Sequence, residues 1–216
     1  MLAVLASRLD PAAHALVARW SSAGAALLSA EDLTSEGWAF RVSDPDIGTA
    51  VVDGCRLPVR ELRAVLTRRQ AVIAEELAWI DPVDRPYVAS EANAFLVAWL
   101  SAIPCLVLSR PTAGSLAGPA WSPLHWAAAA ARTGIAWAVP QEGDAVHNVT
   151  VCGETCVGAR SSAEADAARA LARAAGVELL GIRFSAAGPC GATLWPALEE
   201  DEVRATVLNH LLGGAR

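Results

Sequence analysis

Five cysteines and four histidines are the residues of this 216-residue chain best suited to act as nucleophiles, bases or metal ligands. Cys152 and Cys156 stand four positions apart, with His147 and Cys190 the other ligand types near them in the sequence. A metal knuckle could use that pair, but no second pair follows at zinc spacing, so buried free thiols are the plainer reading. His14, His125, His147 and His210 fall in no pattern of Cys, Asp or Ser that would make a triad. Ser109 and Ser115 have no nucleophile-elbow sequence around them, since neither has glycine two positions before and two after. Gly114 and Gly118 lie in a small-residue loop without the lysine of a P-loop. The chain has no lysine at all, and its seventeen cations are all arginine. A lysine Schiff base, a lysine phosphate clamp and a lysine general base are therefore excluded.

Hydrophobic residues make up 54% of the chain and charged ones 19%, enough to bury a core and too apolar for disorder. The net charge is −6, and the arginines are scattered singly except for Arg68-Arg69. A nucleic-acid partner needs a concentrated basic face and is not expected. The apolar opening is interrupted by Arg8 and Asp10, short of a signal-peptide core, and no apolar run is long enough to cross a bilayer. An odd number of cysteines does not read as a secreted disulfide framework. The expectation is a cytoplasmic protein with no membrane partner.

The elements that must position any site centre on residues 105–140. A buried strand at 105–108 meets the breaker Ser109-Arg-Pro. A helix then starts with Ser122 as N-cap and Pro123 in the first turn, and Gly134 ends it. A second apolar strand is expected at 135–139, closed by Pro140. Upstream, a strand at 1–7, a helix opened by Asp10-Pro11 and a strand at 25–29 form a β-α-β unit, whose right-handed crossover makes the sheet parallel. Residues 31–33 read as a short connector, 38–42 as a strand, and 50–57 as strand residues around an Asp53-Gly54 turn. A short helix leading into a strand is expected over 60–66, and a helical or irregular segment over 71–80. Apolar residues at 88, 92, 95, 96 and 99 give an amphipathic helix ended by Pro104. Glu91 sits at the margin of that face; it is either a surface carboxylate or a partner for Arg68 or Arg69.

Beyond a polar link at 141–145 lies a hairpin, 146–152 and 155–159, about Gly153-Glu154. A three-residue loop there would put Cys152 and Cys156 on one face and stack Val149 and Val151 against Val157 and Ala159; that register is expected. Ser162 caps an alanine-rich helix over 163–175, with Gly176 at its end. A strand at 177–184, a loop at 186–191, a strand at 192–195 and a helix at 200–212 complete the chain. The fold class is α/β.

Several stretches, in order, resemble ATP-grasp peptide ligases of the microviridin type, with their pre-ATP-grasp domain. They are Leu62-Arg-Ala-Val-Leu-Thr-Arg-Arg, Ser90-Glu-Ala-Asn-Ala-Phe-Leu, Leu108-Ser-Arg-Pro, and Ser122-Pro-Leu-His-Trp-Ala with Thr133-Gly-Ile. Val149-Thr-Val-Cys-Gly-Glu-Thr-Cys-Val-Gly-Ala follows, and then residues 167–184. The resemblance implies a parallel pre-ATP-grasp-like sheet with flanking helices in a domain over 1–140. A reduced α+β remnant of the C-terminal ATP-grasp part then spans 146–216. Where the family has a lysine this chain has Ser122, and where the family closes with Glu-x-Asn-Pro it has Thr193-Leu-Trp-Pro. Leu194 and Trp195 cannot ligate magnesium, which takes oxygen ligands. Only five residues stand where the family carries its nucleotide-gripping subdomain, so no cofactor is expected. Truncated homologues of this kind occur in clusters that make ribosomally synthesised, modified peptides, including crocagin-type ones.

The resemblance thus implies a non-catalytic protein that binds a precursor peptide and presents it to tailoring enzymes, as a homodimer. Eight tryptophans against one tyrosine bear on that role. Trp20 and Trp99 fall on apolar helix faces. Trp38, Trp121, Trp126 and Trp195 lie near element ends, where they either cap the core or line a peptide pocket. The expected peptide-binding residues are Arg68, Arg69, Glu91, Trp121, His125, Trp126 and Trp195. Two other readings stand beside this one: an enzyme with an unrecognised cysteine or histidine site, and a structural subunit that pairs with an active ligase.

Overall fold

Short, unbroken apolar runs make strands that are covered on both faces, and four of them build a parallel sheet. In the computed structural model, which describes residues 1–213, β1 (Leu2–Leu5), β2 (Ala25–Leu28), β5 (Ala64–Thr67) and β6 (Leu106–Leu108) pair in the order β2-β1-β5-β6. Leu2 stands opposite Ala25 on one side and Ala64 on the other, and Ala64 opposite Leu106. All four residues of β1 are fully buried. The chain leaves β1 in one direction and returns to pair β5 on the other side. The loops after β1 and β5 therefore diverge at the carboxyl edge of the sheet, the place where open α/β sheets take ligands.

Local signals set the helices of this part. Asp10 caps α1 (Pro11–Arg19), accepting from Ala12 and Ala13 N–H. Ser29 and Asp32 form a capping box on α2 (Ala30–Leu33). Asp32 is buried, and its other oxygen accepts from Gly54 N–H at 2.8 Å. That bond anchors the turn between β3 (Thr49–Val52) and β4 (Cys55–Pro58), where Asp53 and Gly54 both hold positive φ as a type I′ turn requires. α3 (Arg85–Ala102) lays Leu96, Trp99 and Leu100 on the sheet residues Ala3, Leu5, Leu28, Val65 and Val107.

Residues 38–42 are not a strand. Only Ala39 bridges to Thr49, while Trp38 and Phe40 turn their rings edge-on to Phe95, and Trp38 to Trp99. Tertiary ring packing outweighs a pattern that alternates well enough for a strand. The short helix expected before β5 is a single 3₁₀ turn, Val59–Glu61, and residues 71–80 are irregular apart from the 3₁₀ turn Ala74–Glu76.

The second sheet is antiparallel throughout: β7 (His147–Cys152), β8 (Thr155–Val157), β9 (Leu179–Ser185) and β10 (Gly188–Thr193), in the order β10-β9-β7-β8. α4 (Pro123–Arg132) and α5 (Ser162–Ala175) cover one face, with Trp126, Ala130, Ala168, Leu171 and Ala172 against Val149, Val151, Leu180, Ile182 and Phe184. Ser122 caps α4 as expected, and the cap of α5 is Ser161 rather than Ser162. α6 (Asp201–Gly213) starts with two acidic residues, which the helix dipole favours.

Three expectations fail in this sheet. Residues 135–139 form no strand; Ala138 N–H donates to Pro189 O at 2.8 Å, and Pro189 has no N–H to return, so a ladder cannot continue there. The last strand starts four residues early, because Ser185 Oγ accepts from Ala187 N–H and donates to Gly188 O, closing a tight turn where Ala-Ala-Gly-Pro reads as a loop. The 152–155 hairpin has a two-residue loop, with Cys152 opposite Thr155 and Cys156 opposite Val151. Gly153 takes φ 57° at the first loop position while Glu154 keeps negative φ, the requirement of a type II′ turn. Strand alternation then puts the two cysteines on opposite faces.

The described residues divide into two compact units, Met1–Ala117 with 211–213, and Gly118–His210. The division precedes the expected boundary at 140–146 because Trp126 and Ala130 carry α4 into the second core. No helix among the described residues is long and apolar enough to cross a membrane. Cys55 is exposed, whereas burial pushes the thiol of Cys105 up to about 11 and that of Cys152 up to about 12. Alkylation of the native protein at pH 8, read by peptide mass, is expected to modify Cys55 first and Cys152 only on unfolding. Mild oxidation should give no Cys152–Cys156 disulfide; finding one would restore the three-residue register.

Candidate functional site

Arg68 and Arg69 continue β5 past Thr67, the first by donating its N–H to Leu5 O at 2.8 Å. Arg68 Nε reaches Asp10 Oδ2 at 3.4 Å, so the guanidinium is joined to the residue that caps α1. Arg69 is only 6% exposed. It donates to Ala71 O at 3.0 and 3.1 Å and to Ala6 O at 3.4 Å, and it is paired with the Glu76 carboxylate. Burial pulls the pKa of Arg69 down and Glu76 opposes that. Arg69 is thus a knot between the loops that leave β1 and β5. Glu91 is exposed on α3 and pairs with neither arginine, because Asp10 and Glu76 hold them; the ion-pair reading of Glu91 is overturned. Two residues along, Asn93 binds both the N–H and the C=O of Val72 at 2.8 Å. Sequence reasoning gave that residue no role, since a polar residue at a helix margin does not announce its partner.

The remaining predicted residues lie in the second unit. Trp126 is 4% exposed and belongs to the core, with Trp121 edge-on to it at 4.8 Å. Trp121 itself is half-buried. His125 is exposed and completes the α4 cap: its N–H donates to Ser122 Oγ at 3.4 Å, and Ser122 N–H donates to its Nδ1 at 3.3 Å. Ser122 Oγ is 3.0 Å from the same nitrogen. Leu124, one residue before, is 78% exposed, and Trp195 is 38% exposed beyond the end of β10. The structure therefore leaves Trp121, Leu124, His125 and Trp195 with accessible surface in this unit, and withdraws Trp126 and Arg69 into their respective cores.

A further pair was not legible in the sequence. His147 Nε2 lies 3.1 Å from Glu164 Oε2, and the ring stacks on Phe184 at 5.9 Å. Glu164 also accepts from Arg160 N–H at 2.7 Å, and that bond, followed by His147, holds its carboxyl below the ordinary value. His210 and Glu178 make a similar contact at 2.8 Å. In both pairs the residues are 17 or more positions apart, on different elements. Among the described residues no group of three His, Cys, Asp or Glu side chains is placed to hold a metal ion.

No protein-family model matches the sequence, and no curated protein matches it. Solved structures do match it along almost its whole length. MdnC, a macrocyclase from Microcystis aeruginosa MRC solved with its precursor peptide MdnA, superposes with a TM-score of 0.65 at 9% identity, covering 99% of each chain. The ATP-grasp ligase PsnB, solved with a minimal precursor, Mg and ADP, gives 0.60 at 12% identity over 97% of this chain and 98% of its own. An ATP-grasp ligase associated with ribosomally synthesised, modified peptides from Chryseobacterium gregarium, solved with ADP and a leader and core peptide, gives 0.55 at 10% identity over 100% and 97%. The architecture is that of this class: a parallel sheet with flanking helices and an antiparallel α+β part. The ATP-grasp-like fold expected from the ordered motifs is the fold observed.

Two substitutions probe these pairs. Glu76→Ala leaves the buried Arg69 charge uncompensated and is expected to cost about 3–5 kcal/mol in urea unfolding; a cost below about 1 kcal/mol would mean the pair is not buried in solution. Glu164→Gln removes a carboxyl whose folded pKa is depressed, so its contribution is present at neutral pH and fades as pH falls through that value. The variant should be less stable than wild type at pH 7 and converge with it in acid, below the ordinary glutamate range. A pH-independent difference would assign the effect to packing.

Proposed function

We propose that this protein is a non-catalytic binder of a precursor peptide in the biosynthesis of a ribosomally synthesised, post-translationally modified peptide. It presents the peptide to the tailoring enzymes of the same cluster and acts as a homodimer in the cytoplasm. One observation carries the reading: a ligase-like fold is kept while positions that would serve ATP hold other residues. Ser122, where the family has lysine, is committed to the cap of α4. Leu194 packs against the second core and Trp195 follows it, where the family has magnesium ligands. Residues 141–145 form a short strandless link where the resemblance places the nucleotide-gripping subdomain. Without cations the triphosphate has no counter-charge, and without oxygen ligands magnesium has no seat.

Peptide recognition draws on what remains. β8 ends the antiparallel sheet, and no other strand among the described residues pairs with its outer edge. An extended peptide can add there as a further strand, its main chain supplying affinity that does not depend on sequence. Trp121, His125 and Trp195, with Leu124 beside them, offer apolar and stacking contacts that would read side chains. Precursors of ligases with this fold are the kind of ligand the reading names.

Calorimetry of the purified protein against the precursor peptide encoded beside its gene tests the reading. A dissociation constant in the micromolar range, about −8 kcal/mol, is expected, with no heat from ATP and magnesium. Trp121→Ala with Leu124→Ala should weaken binding about tenfold without loss of the folded state. Micromolar binding of ATP, or no binding of the precursor, would overturn the reading.

A further inference from the structure

We propose that a cleft at the carboxyl edge of the parallel sheet is a subsite for one basic side chain, arginine or lysine, of a bound peptide. This deepens the peptide-binding reading and rests on it only for the statement that the cation belongs to a peptide. The cleft encloses about 220 Å³ and lies wholly within the first unit. Ser7, Arg8 and Leu9 reach it from the loop after β1, Ala30 and Glu31 from the first turn of α2, and Glu75, Glu76 and Trp79 from the segment after β5. The placement is where an open parallel sheet with diverging loops receives ligands.

Charge selects the ligand. Three carboxylates line the cleft against one arginine. Arg8 is paired with Glu31, and Glu76 is paired with Arg69 behind it. Glu75 is exposed and has neither an ion pair nor a hydrogen bond among the described residues. Arg8 and Arg69 offset Glu31 and Glu76, so Glu75 is the uncompensated charge of the lining among the described residues, and an anion would meet it as a like charge. A cation satisfies it.

The apolar part of the lining sets the shape of that cation. Leu9 is 83% exposed and Trp79 44% exposed, two large apolar side chains facing water in the same cleft. Trp79 Nε1 donates to Thr34 Oγ1 at 3.1 Å, which fixes the ring by its edge and leaves its faces for contact. A guanidinium or ammonium over an indole face gains cation–π attraction, and the aliphatic stem of arginine or lysine covers apolar surface while its head stays at the carboxylate. A metal ion or a small inorganic cation would use the carboxylate and leave Leu9 and Trp79 bare.

Four blocked tripeptides, Gly-X-Gly with X as arginine, lysine, norleucine or glutamate, test the subsite on the whole protein by nuclear magnetic resonance. Arginine and lysine are expected to move the Trp79 indole N–H and the Leu9 amide saturably in the millimolar range, and norleucine and glutamate are not. Glu75→Gln, at an exposed position, should weaken the arginine peptide at least fivefold, and Trp79→Ala should do so with the Leu9 amide as readout. Equal response to norleucine, no effect of Glu75→Gln, or shifts that map elsewhere would overturn the proposal. If the precursor binds wild type and Glu75→Gln equally while the tripeptides fail, the subsite falls and the peptide-binding reading stands. If arginine binds here while no precursor binds, the reading falls and the subsite stands.

Discussion

A buried guanidinium holds the carboxyl edge of the first sheet together. Arg69 leaves β5 with almost no exposure, and every donor it has must find an acceptor inside the protein. It finds Ala6 after β1, Ala71 in its own loop and the Glu76 carboxylate further on. Those bonds fix the relation of the loops leaving the two central strands. They also position Glu76 in the wall of the cleft in which Leu9, Glu75 and Trp79 face water. A charge that looks in sequence like a recognition residue is structural, and it builds the wall of an open cleft instead.

The same division of labour recurs nearby. Asp32 caps α2 with one oxygen and holds the β3–β4 turn with the other, while Asn93 clamps both backbone groups of Val72. Each satisfies backbone groups that burial would otherwise leave unpaired. In the second unit the polar pairs sit at the rim: His147 with Glu164, and His210 with Glu178. Trp126 lies behind the first of them in the core, and Trp121 covers it from the edge. The side chains left with accessible surface lie in the first turn of α4 and after β10.

A ligase-like fold and ligase chemistry rest on different physical requirements. The fold depends on apolar layers, caps and turns, none of which needs a lysine or a magnesium ligand. Phosphoryl chemistry depends on little else than such charges. The two can therefore separate: Ser122 serves helix capping and Leu194 core packing, and neither role needs a cation or a metal.

What the sequence determined by itself is what local energetics decide. Asp10 and Ser122 as caps, Gly176 in the left-handed region and the Asp53-Gly54 turn are readable because each depends on residues within a few positions of one another. The parallel pairing was readable from the right-handed crossover rule, and the ATP-grasp-like order of elements from the order of the motifs. Tertiary structure alone decided the rest. Residues 135–139 have the composition of a strand, yet they make one bond to β10, at Pro189, which has no N–H to return. The loop at Gly153 could take either register; burial of Val149 and Val151 beneath α5 does not distinguish them, and the φ that glycine allows does. Arg69 and Trp126 became core, Glu91 stayed alone and Glu164 met His147, since the partner of a charge or a ring is set by contacts between distant segments, which local propensity does not encode.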